Sequence, residues 1–418
     1  MSPVNPRSIA LRTSYIWQFI SPARNESRMT LRKAFFCLHL AAGLVAGLVI
    51  AVMCLTGAAL AFEKQIIAWA ERDARRVAPP APDTPQLSLG ELEKKFHEAW
   101  PDQRPSTLTV SVDPHDAVIF AIGREGIYYV NPYSGEVRQP ASTAIRDFMR
   151  LMTDGHRWLA LAGDNRPTGK AITGACNLAF LFLALSGFIL WWPRKWRTKG
   201  LRRSLWFLRD ATGHARDWNW HNVIGFWLLP VLIVLTASGA VISYRWASDL
   251  VYQAAGETPP VQGGPAMEIF KPTPGMRPLG SAALLLAAQK SVPQWETITL
   301  RFSGGPRGEG RTGPVPATVV VKEPGAWPRT ASTTLTLDPF TGAVLKREGF
   351  ADFSTGRRAR TWLRFLHTGE ALGPAGQFVA AVACIGGGFL VYTGFALAWG
   401  RFRGRKKNPS AINHPVVG

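Results

Sequence analysis

Acidic residues are scarce in this chain of 418 residues: 28 Asp and Glu stand against 48 Lys and Arg, and charged residues make up only 18%. The formal charge of +20 invites a nucleic-acid reading. That reading fails, because the excess is confined to short segments flanking apolar runs and forms no basic face. Cysteine is scarcer still. All four (Cys37, Cys54, Cys176 and Cys384) fall inside long apolar runs, so no disulfide framework staples the polar segments. No glycine-rich turn leads from a strand into a helix, which excludes dinucleotides held through that motif.

What is abundant is apolar sequence. Four runs, 34–62, 171–192, 222–244 and 371–399, each approach or exceed the roughly 20 residues that cross a hydrocarbon core about 30 Å thick. Three segments, 1–33, 193–220 and 400–418, together hold 19 Lys and Arg against three acids, which is +16 of the +20. By the positive-inside rule both termini and the middle loop are cytoplasmic, and segments 63–170 and 245–370 lie outside. Trp191, Trp192, Trp196, Trp218, Trp220 and Trp399 form an aromatic belt at the cytoplasmic boundary. The expected spans are 34–62, 171–192, 221–244 and 371–399. The first run is too long for a signal-peptide core and no small-residue cleavage pattern follows it, so it stays as an anchor. Met29 opens a Met-Thr-Leu-Arg-Lys string just before that run and is an alternative start to Met1.

An internal repeat organises the chain. His39-Leu-Ala-Ala-Gly43 matches His221-Asn-Val-Ile-Gly225 at an offset of 182, and Thr56-Gly57-Ala58 matches Ser238-Gly239-Ala240 at the same offset. Val130-Asn-Pro-Tyr-Ser-Gly-Glu-Val137 matches Leu337-Asp-Pro-Phe-Thr-Gly-Ala-Val344 at an offset of 207. That second offset carries through Pro167/Pro374, Gly169/Gly376, Ser186-Gly187-Phe188/Thr393-Gly394-Phe395, Trp192/Trp399 and Arg194/Arg401. The unit is span, external domain, span, used twice, so the two halves are parallel repeats about an axis along the membrane normal. Alternating apolar strings at 108–112, 117–122, 297–302 and 318–321 predict strands. Segments 128–137 and 334–344 predict hairpins closed by Asx-Pro-x-Ser/Thr-Gly turns, and 89–100 and 280–290 predict amphipathic helices. The fold class is therefore an α-helical integral membrane protein, with four transmembrane helices in two tandem repeats and a small external α+β domain in each.

Eight histidines are present. His39 lies five residues into the first expected span and His221 stands at the mouth of the third, both at the cytoplasmic face. His156 and His367 precede the second and fourth spans at the external face. An ionisable residue in a span is costly, and is a functional-site candidate for that reason. Residues equivalent across a twofold can ligate one iron lying on the axis, as haem iron takes axial ligands from opposite sides. His39 and His221 make one such pair and His156 and His367 the other, though four extra residues near 162–165 break the exact equivalence of the second, giving two haems of b type. No Cys-x-x-Cys-His string occurs, which excludes covalent c-type attachment. Gly43 and Gly57 lie four and 18 residues beyond His39 on the same helix face, and Gly225 and Gly239 repeat this after His221. A flat macrocycle needs close backbone approach, which glycine permits. Gly187 and Gly394 are further candidates at the inner haem. Arg157 and Arg364 match carboxylates such as haem propionates.

Plainer readings stand beside these. The histidines could be hydrogen-bonded packing residues or interfacial polar groups, Arg157 and Arg364 interfacial anchors, and Gly43-x-x-x-Gly47 a helix-packing motif. His97, His115 and His414 fall on solvent-exposed segments. His214 competes with His221 but lacks a glycine four residues on.

The His-x-x-x-Gly openings, the doubled Asx-Pro-x-Ser/Thr-Gly hairpins, and the segments ending in His156 and His367 together resemble the PepSY-associated transmembrane family, over residues 29–405. The resemblance implies an inner-membrane haem protein with PepSY-like external domains, and for some members reduction of ferric siderophores such as ferrioxamine-type chelates. The expected function is a di-haem b-type reductase. It would pass electrons from a quinol or an unidentified cytoplasmic donor to a periplasmic ferric siderophore. Two other classes remain open: a haem-containing electron-transfer subunit for a partner enzyme, and a haem-free regulatory membrane protein.

Overall fold

The computed structural model describes residues 30–81, 83–123, 126–193, 198–260, 276–302 and 315–406. Met29, Arg194, Trp196, His414 and nearly all of the basic N-terminal segment lie outside them.

The first half runs α1 (Leu31–Leu60), α2 (Glu63–Ala70), the single turn α3 (Arg72–Arg75) and α4 (Leu89–Ala99). Strands β1 (Thr107–Ser111), β2 (Val118–Ile122), β3 (Gly126–Val130) and β4 (Val137–Arg138) follow, then α5 (Ala144–Trp158) and α6 (Arg166–Trp191). A basic helix α7 (Thr198–Leu205) leads to the second half. There α8 (Gly213–Ser243), α9 (Arg245–Ala254) and α10 (Ser281–Ser291) precede β5 (Thr297–Arg301), β6 (Ala317–Lys322), β7 (Thr333–Leu337) and β8 (Val344–Glu348). Helices α11 (Thr355–His367) and α12 (Gly373–Lys406) complete it.

Four helices, α1, α6, α8 and α12, are long and apolar enough to cross a membrane, with mean hydropathy between 1.9 and 2.4 in their most apolar windows. In a bilayer every backbone polar group needs an internal partner, and a helix supplies all of them. Each of the four packs against two others, α1 and α8 both lying on α6 and α12, so α1 faces α8 across the middle of the bundle. The helices extend past the apolar runs that mark them in sequence. Helix α8 starts at Gly213, because its backbone ladder continues through the polar turn around Asp217 and Asn219. His221 therefore lies eight residues inside α8 instead of at its mouth, and His39 lies the same distance inside α1.

The two predicted α+β units are not separate. Their strands form one antiparallel sheet of eight, in the order β4-β3-β2-β1-β5-β6-β7-β8. The join is β1 against β5, with Thr109 opposite Thr299 at the centre of a symmetric register from Thr107↔Arg301 to Ser111↔Thr297. Left apart, each unit would expose the edge of its first strand, and pairing those edges satisfies both ladders. One sheet face is covered by α4 and α10, which bury Leu92, Phe96, Leu284 and Ala288 on Leu108, Phe120, Ile298 and Leu335. Helix α4 is started by a capping box between Ser88 and Glu91. Both hairpins close as their sequences predict. Asn131 Oδ1 accepts from Tyr133 N at 2.9 Å and Asp338 Oδ1 from Phe340 N at 2.8 Å, while Gly135 and Gly342 take φ of 74° and 72°.

Helices α5 and α11 pack along α1 and α8 respectively, and each ends beside the bundle in a histidine or one close to it. The chain then reverses in a cramped turn. Leu159 and Ala160 adopt φ of 54° and 58° after α5, and Gly369 adopts 72° after α11. Backbone passes so close there that a Cβ on Gly169 would sit 2.1 Å from the Trp158 carbonyl oxygen, and one on Gly376 2.4 Å from that of Gly369.

Candidate functional site

Two pairs of imidazoles face each other inside the bundle. His39 of α1 and His221 of α8 have ring centroids 6.5 Å apart at an interplanar angle of 82°, at the end of the bundle remote from the sheet. His156 of α5 and His367 of α11 have centroids 6.2 Å apart at 59°, at the sheet side. The tertiary structure brings together the pair that the 182 offset relates and, although four extra residues near 162–165 break their exact equivalence, His156 with His367. A nitrogen bonds a metal at about 2 Å, so two imidazoles sharing one ion from opposite sides have centroids about 6 Å apart.

The tautomer of each ring follows from its neighbours. His156 Nδ1 lies 2.9 Å from the Met53 carbonyl oxygen, and His367 Nδ1 lies 2.9 Å from that of Leu235. A carbonyl only accepts, so both neutral rings carry their proton on Nδ1. His39 Nδ1 lies 2.8 Å from Ser186 Oγ, whose own hydroxyl donates to Phe182 O at 2.7 Å. His221 Nδ1 lies 2.9 Å from Thr393 Oγ1, whose hydroxyl donates to Phe389 O at 2.8 Å. With those hydroxyl protons committed, both hydroxyl oxygens accept from the imidazole. All four histidines thus present an unprotonated Nε2. A second-shell acceptor on the far nitrogen is how proteins fix and orient a metal-binding imidazole.

These partners recur at the repeat offsets. Met53 and Leu235, Thr56 and Ser238, and Ser186 and Thr393 occupy matching places around matching rings. The hydroxyl residues are legible in the repeated strings Thr-Gly-Ala/Ser-Gly-Ala and Ser-Gly-Phe/Thr-Gly-Phe, where a hydroxyl recurs beside each glycine in both copies.

The glycines divide by role. A Cβ on Gly187 would lie 3.5 Å from His39 Cε1, one on Gly394 3.7 Å from His221 Cε1, and one on Gly57 3.2 Å from His156 Cε1. At Gly239 the three atoms nearest such a Cβ all belong to the Asn177 side chain, the closest at 3.0 Å. Asn177 takes the place that Cys384, at 3.2 Å, holds beside Gly57, so the sheet-side site is more polar on its α6 flank. Gly43 and Gly225 have only Leu183 and Leu390 within reach, at 3.9 and 3.6 Å, which leaves lateral space beside the remote pair. Gly47 is a packing glycine, since a Cβ there would strike the Phe395 ring at 2.7 Å.

A cavity of about 560 Å³ surrounds the sheet-side pair. Its lining includes His156, His367, Gly57, Gly239, Asn177 and Cys384, with Arg157, Lys170, Arg360 and Arg364 toward the sheet. Such a volume suits a bound organic group. Arg157 and Arg364 also stack on rings, 4.5 Å over Trp158 and 5.7 Å over Phe365. The remaining histidines lie elsewhere. His97 packs edge-on to Phe96, His115 contacts Asp113 on the surface of the sheet-containing domain, and His214 abuts Gly400. Among the described residues no group of three or more His, Cys, Asp or Glu could hold a metal ion without other ligands.

Four membrane-length helices and an external-type sheet define a multi-pass membrane protein. Residues 36–401 match the PepSY-associated TM region family, and the chain belongs to it. No curated protein matches the chain.

Proposed function

We propose that this protein is a di-haem b-type reductase of the bacterial inner membrane, delivering electrons to a ferric siderophore in the periplasm. In this reading the chain is two tandem copies of one unit, each with a periplasmic PepSY-like part, and both termini are cytoplasmic. The observation that carries it is the two facing imidazole pairs, each ring with a free Nε2, at centroid distances of 6.5 and 6.2 Å. Two facing imidazoles, with no group of three or more His, Cys, Asp or Glu suited to a metal among the described residues, suit a metal whose other positions a planar macrocycle fills. Bound haem supplies one-electron redox chemistry that no side chain here provides.

The chain's own residues do the positioning. Ser186 and Thr393 hold the inner rings, the Met53 and Leu235 carbonyls hold the outer rings, and Gly187, Gly394 and Gly57 leave room beside them. Arg157 and Arg364 line the cavity beside the outer pair, and in this reading they would pair with propionates. His39 and Met53 are 14 residues apart on one helix, so the pairs are separated by about 21 Å, much of the hydrocarbon thickness. A quinol or a cytoplasmic protein would donate at the His39/His221 end.

Purified protein should yield two b-type haems per chain, all extractable into acid acetone. A colourless preparation, or one haem, overturns the reading. Reduction of a ferric chelate by the purified protein separates a reductase from an electron-transfer subunit that needs a partner enzyme.

A further inference from the structure

At the end of the bundle remote from the sheet, the short helix α7 and the segment leading from it to α8 are held by side chains of the membrane-length helices. Asn219 of α8 is fully buried, and its amide nitrogen donates to the Arg203 and Trp206 carbonyls at 2.6 and 3.0 Å. Its amide oxygen accepts from Leu208 N at 3.0 Å. Trp227 Nε1 donates to the Leu205 carbonyl at 2.9 Å, and Trp191 Nε1 to that of Ser204 at 3.4 Å. A helix leaves its last carbonyls unpaired, and here α6 and α8 supply the donors. Charge that serves only to set topology needs no such anchoring.

The anchored segment walls a recess of about 570 Å³ beside the first turns of α8. Arg203 and Arg209 line it, with Asp210, His214 and Trp218. The neighbouring acid Asp217 is buried and already paired, its Oδ1 lying 2.9 Å from Arg216 Nη2. With His214 neutral, the recess shows two guanidiniums against one carboxylate, an excess of one positive charge. The same segment turns Trp206 and Phe207 outward, 62% and 57% exposed, with Trp206 6.4 Å from the exposed ring of Trp227. Exposed indoles at the end of a membrane-length helix suit the boundary between lipid headgroups and hydrocarbon.

We infer that this recess binds one anionic phospholipid whose headgroup carries hydroxyls, the chemistry of phosphatidylglycerol. Its phosphodiester accepts from the Arg203 and Arg209 guanidiniums, and its headgroup hydroxyls donate to the Asp210 carboxylate. Its single negative charge matches the excess in the recess. A zwitterionic headgroup leaves that charge unmatched, and phosphatidic acid, which has no glycerol hydroxyls in its headgroup, sets a phosphate against Asp210 with nothing to donate. The acyl chains lie against the outward-turned rings of Trp206, Phe207 and Trp227. Basic pockets at the headgroup level of membrane helices recognise anionic lipids in this way. The site stands whether or not the protein holds haem.

Short-chain phosphatidylglycerol titrated into the full-length protein in detergent should bind saturably at one site, read by native mass spectrometry, and should raise the melting temperature. Arg203→Gln and Arg209→Gln should each raise Kd by roughly three- to tenfold, the value of a lost charge-assisted hydrogen bond. Arg202→Gln removes a charge that lies next in sequence but does not line the recess, and should leave Kd unchanged. Asp210→Asn should narrow the preference for phosphatidylglycerol over phosphatidic acid. All four side chains are exposed, so the variants should fold. Equal affinity for phosphatidylcholine, or equal weakening by Arg202→Gln and Arg203→Gln, overturns the inference, because the lipid would then sense no particular pocket. So does an unchanged lipid preference in Asp210→Asn. Glycerol 3-phosphate binding as tightly as the lipid would make the ligand a soluble phosphate and overturns it too.

Discussion

At the scale of single residues, the hydroxyls behind the imidazoles are the sharpest test of the proposed ligation. Thr393→Val removes the acceptor of the His221 Nδ1 proton while keeping volume, and Ser186→Ala does the same for His39. Each should shift the absorption and midpoint potential of the inner haem alone, since outer-shell partners tune ligand basicity. Spectra and potentials identical to wild type would show that the hydroxyls do not bear on the metal. His39→Ala and His221→Ala should each remove the same inner haem, and His156→Ala and His367→Ala the same outer one. Two spectroscopically distinct losses within either pair would contradict ligation of one iron by both rings.

At the scale of elements, the helices α5 and α11, which carry His156 and His367, matter most. The Glu71 side chain is 2% exposed, so its bond to Arg146 is a buried ion pair. Removing one partner of such a pair costs about 3–5 kcal/mol, because the other charge stays buried. Arg146→Met should therefore lower thermal stability in detergent and loosen the outer haem before the inner one, read from their separate spectra on heating. Simultaneous loss would mean that α5 does not position the outer site. Burial, and then the hydrogen bond to Glu71, push the Tyr129 phenol up to about 12 from 10.0. A raised pKa means that the fold favours the neutral phenol. Its contribution is whole below pH 10 and drains away as pH rises toward 12. The melting temperature should fall across that window, and Tyr129→Phe should flatten the fall. In the sheet, Phe96 is fully buried and stacked on Phe120 at 4.8 Å. Phe96→Ala should cost about 3–5 kcal/mol, leaving the haem spectrum intact if the protein still folds.

At the scale of the whole molecule, the two imidazole pairs lie toward opposite ends of the four-helix bundle. In sealed right-side-out vesicles, an impermeant ferric chelate outside should reoxidise reduced haem. His156→Ala should slow this strongly, since the remaining inner site lies about 21 Å deeper along the helix. Equal rates in variant and wild type would take the outer pair off the path.

Much of this was legible in the sequence for simple reasons. Crossing a bilayer demands long apolar helices, so four spans stand out by length alone. A repeat marks equivalent positions, so His39/His221 pair by offset before any coordinates exist, and His156/His367 pair by their place before the second and fourth spans, four residues off the 207 offset. What the sequence alone could not supply depends on contacts between distant segments. That β1 and β5 join is decided by two edges meeting, and neither strand differs in pattern from one with a free edge. That Gly239 meets Asn177 where Gly57 meets Cys384 depends on how α6 and α8 rotate against each other. The Nδ1 tautomers of His156 and His367 are fixed by carbonyls of Met53 and Leu235, and a carbonyl carries no residue identity. The tie between the sheet and α5 exists only once Glu71, Tyr129 and Arg146 meet. Periodicity fixes which face of an element is apolar, and only packing decides what that face, and the polar one opposite, will touch.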